Sequence, residues 1–419
     1  MNATLTKMYA RLHAASVELV RRAPVSSKVF GPPRGVITST KQWVEEYCRA
    51  GRAASDECWY KSISAEGFRG EFSAHPDPRT LPSLDTPFLG HDRQRLLETF
   101  VACIPRARVV TRTGIVISPD DRVFRQSCVF YEPVFYSDIE YNTLRPMLRP
   151  DKLPGGYLVM ASRQHTNYFH WLTECVTRLC AVDASCDAPV LLPRGLSSWQ
   201  AESLELLGIP RGRMLQLEEG CYEVDRLYFP FVGTTGNIAT WALQELRRRY
   251  CGDRPVRRGK RLYAGRTDAA YRRVVNEDEV VRSLEREGFS VVEGSRLSFA
   301  EQVELYADAE IVVGIHGAGL TNFMFAPPQA VIIEALDPEH NNPCYYLLSA
   351  SLDQRYWCFY GENQSVRRGQ PVKKGYDDIA VPVDTLMRTL DAALAESNVG
   401  ERERDFSTES RAADAGGAA

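Results

Sequence analysis

The stretch Gly314-Ile315-His316-Gly317-Ala318-Gly319 places one imidazole among three glycines, directly after the β-branched run Ile311-Val312-Val313. Glycine is costly to order, so three in six residues indicate either a tight turn or backbone that a ligand approaches closely. Amides at a strand end, leading into a helix that starts near Leu320, form an anion site through N–H geometry and the helix dipole. Arg266 ends the preceding strand-like run "RLYAGR", and Arg272 and Arg273 follow closely. Their guanidinium groups are suited to charge-assisted hydrogen bonds with phosphate. Glu334 ends the run "VIIEAL". A carboxylate there would accept hydrogen bonds from ribose hydroxyls, or serve as a helix cap or ion-pair partner.

The second constellation lies in "RQHTNYFHWLTECVTRL", residues 163 to 179. In a helix starting near Tyr168, His170 and Glu174 stand at i, i+4 and meet on one face. An imidazole oriented by a carboxylate can act as general base, and the plainer role for the pair is to order the helix. His165 would complete a two-His, one-carboxylate metal set. Its five-residue separation from His170 turns the two rings apart, so no metal is expected. Trp171, Leu172 and Leu179 read most simply as core residues.

The elements needed to hold these groups are legible as alternating strand and helix patterns. A hairpin is expected at about 107–125, then a strand over "GGYLVMAS", a helix through "NYFHWLTECVTRLCAV", and further strands over "APVLLP", "MLQL" and "DRLYFP". A second alternation runs from "RLYAGR" to "AVIIEAL", with the glycine loop after its third strand. The fold class is therefore α/β with two parallel-sheet units. Expected boundaries are an N-terminal helical and loop extension over 1–95, a first unit over 96–248, a second over 249–397, and a disordered tail over 398–419. Residues 4–22 read as an amphipathic helix packed on the protein itself or touching a membrane surface.

Net charge is −3, and no apolar run approaches 18 residues, so neither nucleic acid nor a membrane span is indicated. The segment 245–273 holds eleven Lys/Arg against three acidic residues but contains no recognisable nucleic-acid module. The eleven cysteines are scattered singly without a C-x-x-C pair, the pattern of free thiols in a reducing cytosol. The N-terminus lacks an apolar signal core. "GIHGAG" fits G-x-x-G-x-G and not the dinucleotide fingerprint, and neither a P-loop nor a D-x-D pair occurs.

Four segments in register resemble glycosyltransferase family 61, over roughly residues 100–340. They are Asn167 to Glu174; Tyr263 to Arg266 with Arg272, Arg273, Asn276 and Glu277; Gly314 to Asn322 with Phe325; and Ile332-Ile333-Glu334. Thr173, where an aliphatic residue is usual, and Pro327-Pro328 depart from the family pattern. The resemblance implies two Rossmann-like domains facing a cleft, the GT-B arrangement. It implies inverting transfer of a sugar from a nucleotide sugar to a glycan or lipid-linked saccharide, without cofactor or obligatory metal. The absence of a signal points to the bacterial, cytoplasmic kind, serving capsule or lipopolysaccharide synthesis, with possible peripheral membrane contact. On this reading Gly314, Gly317, Ala318, Gly319, Leu320, Thr321 and Asn322 hold the diphosphate, and Arg266, Arg272 and Arg273 neutralise it. His316 and Glu334 lie beside the donor, His170 and Glu174 provide the base, and Asn167 and Trp171 stand on the acceptor side. The alternative is a non-catalytic nucleotide- or carbohydrate-binding protein on the same scaffold.

Overall fold

Short β-branched runs separated by helices of about two turns must bury their strands on both faces, and the chain does this twice. The computed structural model describes residue 19 and residues 33–63, 72–74, 78–81, 93–95, 98–128, 150–234, 237–253, 259–267 and 269–396. The expected N-terminal helix, apart from Leu19, and the tail beyond 398 lie outside these residues. Contacts divide the chain into one unit of Met1–Phe72 with Arg95–Tyr250 and another of Ser73–Gln94 with Cys251–Ala419.

In the first unit the strands are β1 (Gly35–Ile37), β2 (Trp59–Ser62), β3 (Phe100–Pro105), β4 (Arg108–Val110), β5 (Ile115–Ile117) and β6 (Arg122–Phe124). They are followed by β7 (Asp151–Val159), β8 (Val190–Pro193), β9 (Met214–Leu217) and β10 (Cys221–Phe231). The sheet runs β1-β6-β5-β4-β10-β7-β8-β9, with β3 on β10 and β2 on β3. Strands β7, β8 and β9 are parallel, as their intervening helical segments require, and β10 lies parallel to β7. The hairpin expected at about 107–125 is present as β4 and β5, and the sheet that contains it is mixed where the alternation of strand and helix had indicated a parallel one. Strands β4 and β5 pair antiparallel because a tight turn that permits no crossover joins them, and β10 also pairs antiparallel with β3 and β4. The expected separate extension over 1–95 is also divided. Strands β1 and β2 belong to this sheet, whereas Arg79 pairs with Trp357 in the second unit.

The second unit is a parallel sheet of β11 (Lys260–Ala264), β12 (Phe289–Val292), β13 (Ala309–Ile315), β14 (Val331–Leu336) and β15 (Arg355–Tyr360). Its order is β12-β11-β13-β14-β15, with every pairing parallel. The chain leaves β11 for one side and returns to β13 on the other. The carboxyl ends of β11 and β13 therefore flank a topological switch point, where open α/β sheets bind ligands. Helix α1 (Glu277–Arg286) carries three acids in its first turn and Arg286 in its last, matching its dipole. It buries Val280 and Leu284 against Ile311, Val313 and Ile333 of the sheet. Helix α2 (Phe299–Tyr306) begins with a capping box made by Ser298 and Glu301.

Ile333 is fully buried at the centre of this core. Ile333→Ala should lower the unfolding free energy by about 2–5 kcal/mol, read from equilibrium urea denaturation. An unchanged midpoint would contradict the packing described.

Candidate functional site

At the carboxyl end of β13, His316 is 7 % exposed, and its Nδ1 lies 2.6 Å from Glu334 Oε1. Glu334 sits on β14, opposite Gly314 in the ladder, and is 0 % exposed. Its second oxygen accepts a hydrogen bond from the Tyr356 hydroxyl on β15. Burial, followed by the charge of Glu334, pushes the Tyr356 phenol well above its ordinary value, so it remains a donor. With the Nδ1 proton directed at the carboxylate, the His316 Nε2 lone pair is left as acceptor or base. The ring is packed by His340 at 5.4 Å and Tyr345 at 5.0 Å between centroids.

The glycine loop follows. Its three glycines have different physical reasons. A Cβ at Gly314 would lie 3.0 Å from Leu320 Cδ1 and 3.3 Å from Ala264 Cβ, so this position serves core packing. A Cβ at Gly317 would lie 1.8 Å from Arg266 Nη1, so the guanidinium rests directly on the bare backbone. A Cβ at Gly319 would meet nothing within 4 Å, and no packing contact explains the residue there. Residues Ala318–Phe325 form a 3-10 helix. The Leu320 amide donates to the Gly317 carbonyl. Among the described residues the amides of Gly317, Ala318 and Gly319 have no protein acceptor. The Tyr345 hydroxyl donates to the Gly317 carbonyl at 2.6 Å, and Thr321 Oγ1 stands 3.2 Å from the same phenol oxygen. The loop is thereby fixed from its carbonyl side, with its N–H side lacking a protein acceptor among the described residues.

Arg266 extends from the end of β11 and binds two carbonyls, Nε to Arg272 and Nη2 to Tyr271, each at 3.0 Å. Arg272 takes the left-handed conformation, φ 54°, which is unfavourable for a non-glycine residue. Its buried Nε has no partner among the described groups. The backbone amide of Arg266 is held by Glu277 Oε1 at 2.7 Å. One guanidinium thus joins the 271–272 turn to the glycine loop.

Several expected roles change with these contacts. Glu334 is buried with both oxygens engaged within the protein, by His316 and Tyr356, which matches the ion-pair alternative given for it. Arg273 is paired with Asp378 at 3.0 Å, which balances its charge. Leu320, Thr321 and Asn322 are buried; Asn322 donates to Gln302 Oε1 at 2.7 Å, tying the loop to α2. Tyr345, Tyr356 and His340 were not singled out from sequence. Buried tyrosines resemble core aromatics in any pattern, and only tertiary contact shows what their hydroxyls hold.

In the first unit the predicted helix has three pitches. A short α-helical turn, Tyr168–His170, passes into a π-helix, Trp171–Cys175, and then a 3-10 segment, Val176–Ala181. Thr173 Oγ1 donates to the Phe169 carbonyl at 2.8 Å, giving a partner to a carbonyl near the change of pitch. Such π turns are frequent at functional sites. His170 Nδ1 lies 2.6 Å from Glu174 Oε1, with side chains 16 % and 4 % exposed. The i, i+4 pairing therefore forms, and a second imidazole is oriented by a carboxylate. The two residues expected on the acceptor side make structural contacts. Asn167 caps the first turn, accepting from Phe169 and His170 amides. Trp171 is 0 % exposed and donates to Ser203 Oγ at 2.9 Å. His165 is bonded through Nδ1 to the Ser162 carbonyl and stands apart from the His170–Glu174 pair. Among the described residues, no group of three or more His, Cys, Asp or Glu is placed to hold a metal ion.

The matched sequence now has a geometry. Residues 168–333 match the family Glycosyltransferase 61. The match includes His170, Glu174, Arg266, His316 and the glycine loop and ends one residue before Glu334. An 89-residue segment is 39 % identical to an EGF domain-specific O-linked N-acetylglucosamine transferase of Drosophila melanogaster, covering 20 % of this chain and 17 % of that protein. A 90-residue segment is 32 % identical to a Beta-1,2-xylosyltransferase of Arabidopsis thaliana, covering 18 % and 17 %. The Gallus gallus EGF domain-specific O-linked N-acetylglucosamine transferase is 34 % identical over 80 residues, covering 18 % and 15 %. The chain therefore spans less than a fifth of the length of these relatives. No helix among the described residues is long and apolar enough to cross a membrane.

Two outcomes follow from the dyad and its neighbours. Tyr356→Phe leaves a buried carboxylate oxygen without its donor, which should destabilise the second unit by about 1–3 kcal/mol; an unchanged denaturation midpoint would contradict the bond. His340 has its pKa lowered below 6.5 by burial, then by His316 and Arg272. A histidine that binds its proton less readily when folded subtracts stability as pH falls below its unfolded value and subtracts none above it. His340→Gln should therefore flatten the loss of stability on acidification below about pH 6.5, measured by denaturation across pH.

Proposed function

We propose that this chain is an inverting glycosyltransferase that takes its sugar from a nucleotide sugar without a required metal. One observation carries the reading. The amides of Gly317, Ala318 and Gly319, without protein acceptors, lie at the switch point of a parallel sheet, beside the Arg266 guanidinium and an oriented His316. Backbone donors and a fixed cation at such a point suit a diphosphate whose negative charge grows as it leaves. Two nearby carboxylates fit the metal-independent reading, because Glu334 is engaged by His316 and Tyr356 and Glu277 by the Arg266 amide and Tyr263.

Inversion requires that the acceptor oxygen attack the anomeric carbon while a base takes its proton and the nucleotide diphosphate departs. His170, oriented by Glu174, is the base in this proposal, and His316 Nε2 stands beside the donor's diphosphate or sugar. The acceptor in this proposal is a glycan or a lipid-linked saccharide. The relatives' names concern EGF domains and β-1,2-xylosyl transfer, so a surface-polysaccharide role rests on the sequence resemblance alone.

A thermal-shift screen with UDP-, GDP-, CMP- and TDP-sugars in the presence of chelator should raise the melting temperature for at least one donor, since a ligand bound only by the native state stabilises it. Gly317→Ala, which displaces Arg266, should abolish that shift. Slow donor hydrolysis without acceptor should accompany binding. His170→Ala should lower turnover by roughly 10²–10⁴-fold with the donor shift retained. No shift with any donor would overturn the proposal, and a shift without turnover would reduce it to the binding-protein alternative. Near-wild-type rates in both His170→Ala and Glu174→Gln would remove the base from the first unit.

A further inference from the structure

The first unit contains a cavity of about 360 Å³ that the preceding assignments do not use. Small-molecule pockets run from about 300 to 1,000 Å³, so this one suits one or two sugar rings. Its floor is formed by Pro193 and Leu217, the last residues of β8 and β9 and register partners in the parallel ladder. The cavity therefore opens at the carboxyl edge of two parallel strands, the edge where α/β sheets receive ligands.

The rim is charged yet balanced. Arg112 lies 3.3 Å from Glu219, and Arg194 is paired with Glu218. Two guanidinium groups and two carboxylates sum to zero, so the rim provides donors and acceptors without selecting an ion of either sign. Its loops are held in place. Thr111 Oγ1 donates to the Glu218 carbonyl at 2.9 Å and accepts from the Gly220 amide at 3.0 Å. Gln216 Oε1 accepts from the Gly195 and Leu196 amides. The remaining wall is His165. Its Nδ1 is 2.9 Å from the Ser162 carbonyl, and a carbonyl can only accept, so the proton is on Nδ1 and Nε2 is an acceptor. Burial lowers its pKa against the opposing effect of the Ser162 carbonyl, which favours the neutral ring.

We infer that this cavity is a binding site for an uncharged saccharide. The ring's apolar face lies on Pro193 and Leu217, and its hydroxyls are shared among His165 and the two arginine–glutamate pairs. The inference rests on the proposed transferase function and assigns its acceptor subsite to the carboxyl edge of β8 and β9. A neutral imidazole acceptor, paired charges and an apolar floor together match a ligand that carries many hydroxyls and no net charge.

The test is saturation-transfer NMR on the full chain, with methyl glycosides of neutral hexoses and pentoses and with a methyl glucuronoside as anionic control. Transfer to at least one neutral glycoside is expected, and little to the glucuronoside. His165→Leu should weaken binding about fivefold, the change expected on losing one ordinary hydrogen bond. Arg194→Trp, at an exposed rim position that does not bear on folding, should block it. No transfer to any neutral glycoside, stronger transfer to the glucuronoside, or signals unchanged in both variants would each overturn the assignment. The nucleotide-sugar thermal shift, measured on the same samples, separates the two readings. If it persists while glycoside binding is absent, only the subsite fails; if it is absent as well, the transferase proposal fails with it.

Discussion

A carboxylate with no exposed surface is tolerable only when both its oxygens are bonded, and Glu334 meets that condition through His316 and Tyr356. Much of the second unit can be understood as the means of meeting it. The three residues come from adjacent strands β13, β14 and β15, so the parallel ladder sets their spacing before any side-chain contact forms. A central strand position is among the most rigid in an α/β fold. Placing Glu334 there gives His316 a fixed orientation at the point where the sheet ends and the glycine loop begins.

The loop is constrained from the opposite side. Its carbonyl face is held by Tyr345 and its turn is covered by the Arg266 guanidinium. What remains is a short row of amides whose direction is determined by these contacts. Preorganisation of this kind matters more than the number of donors, because dipoles that need not reorient stabilise a developing charge most effectively. Arg272 shows the associated strain. It occupies the left-handed region so that two successive carbonyls can reach one guanidinium, and such strain persists only where the surroundings over-determine it.

The second unit was largely readable in sequence, and the first only in part. Runs such as Ile311-Val312-Val313 and Val331-Ile332-Ile333 are apolar throughout because both faces are covered, and that signature is unambiguous when capped helices intervene. In the first unit the hairpin of Arg108–Val110 and Ile115–Ile117 was legible from the turn between them, but Cys221–Phe231 has the composition of a buried parallel strand and yet pairs antiparallel with Phe100–Pro105 and Arg108–Val110. Composition reports burial and does not report strand direction. The His170–Glu174 pair was accessible because i, i+4 spacing survives a local change of pitch. The role of Glu334 was not, because a carboxylate at a strand end reads identically whether it faces a ligand or an interior phenol. Tyr345 and Tyr356 were hidden for the same reason: an aromatic residue in a buried strand or helix does not reveal where its hydroxyl points.

The central claim is that the amides of Gly317 to Gly319, with the Arg266 guanidinium beside them, receive a diphosphate without help from a metal ion. Glycine-selective ¹⁵N labelling tests it most directly, by following amide shifts while a nucleoside diphosphate is added in excess chelator. The account predicts that Gly317 and Gly319 move most among the glycines and that omitting the chelator changes nothing. Largest shifts at glycines far from this loop, or binding that appears only with a divalent cation, would contradict it.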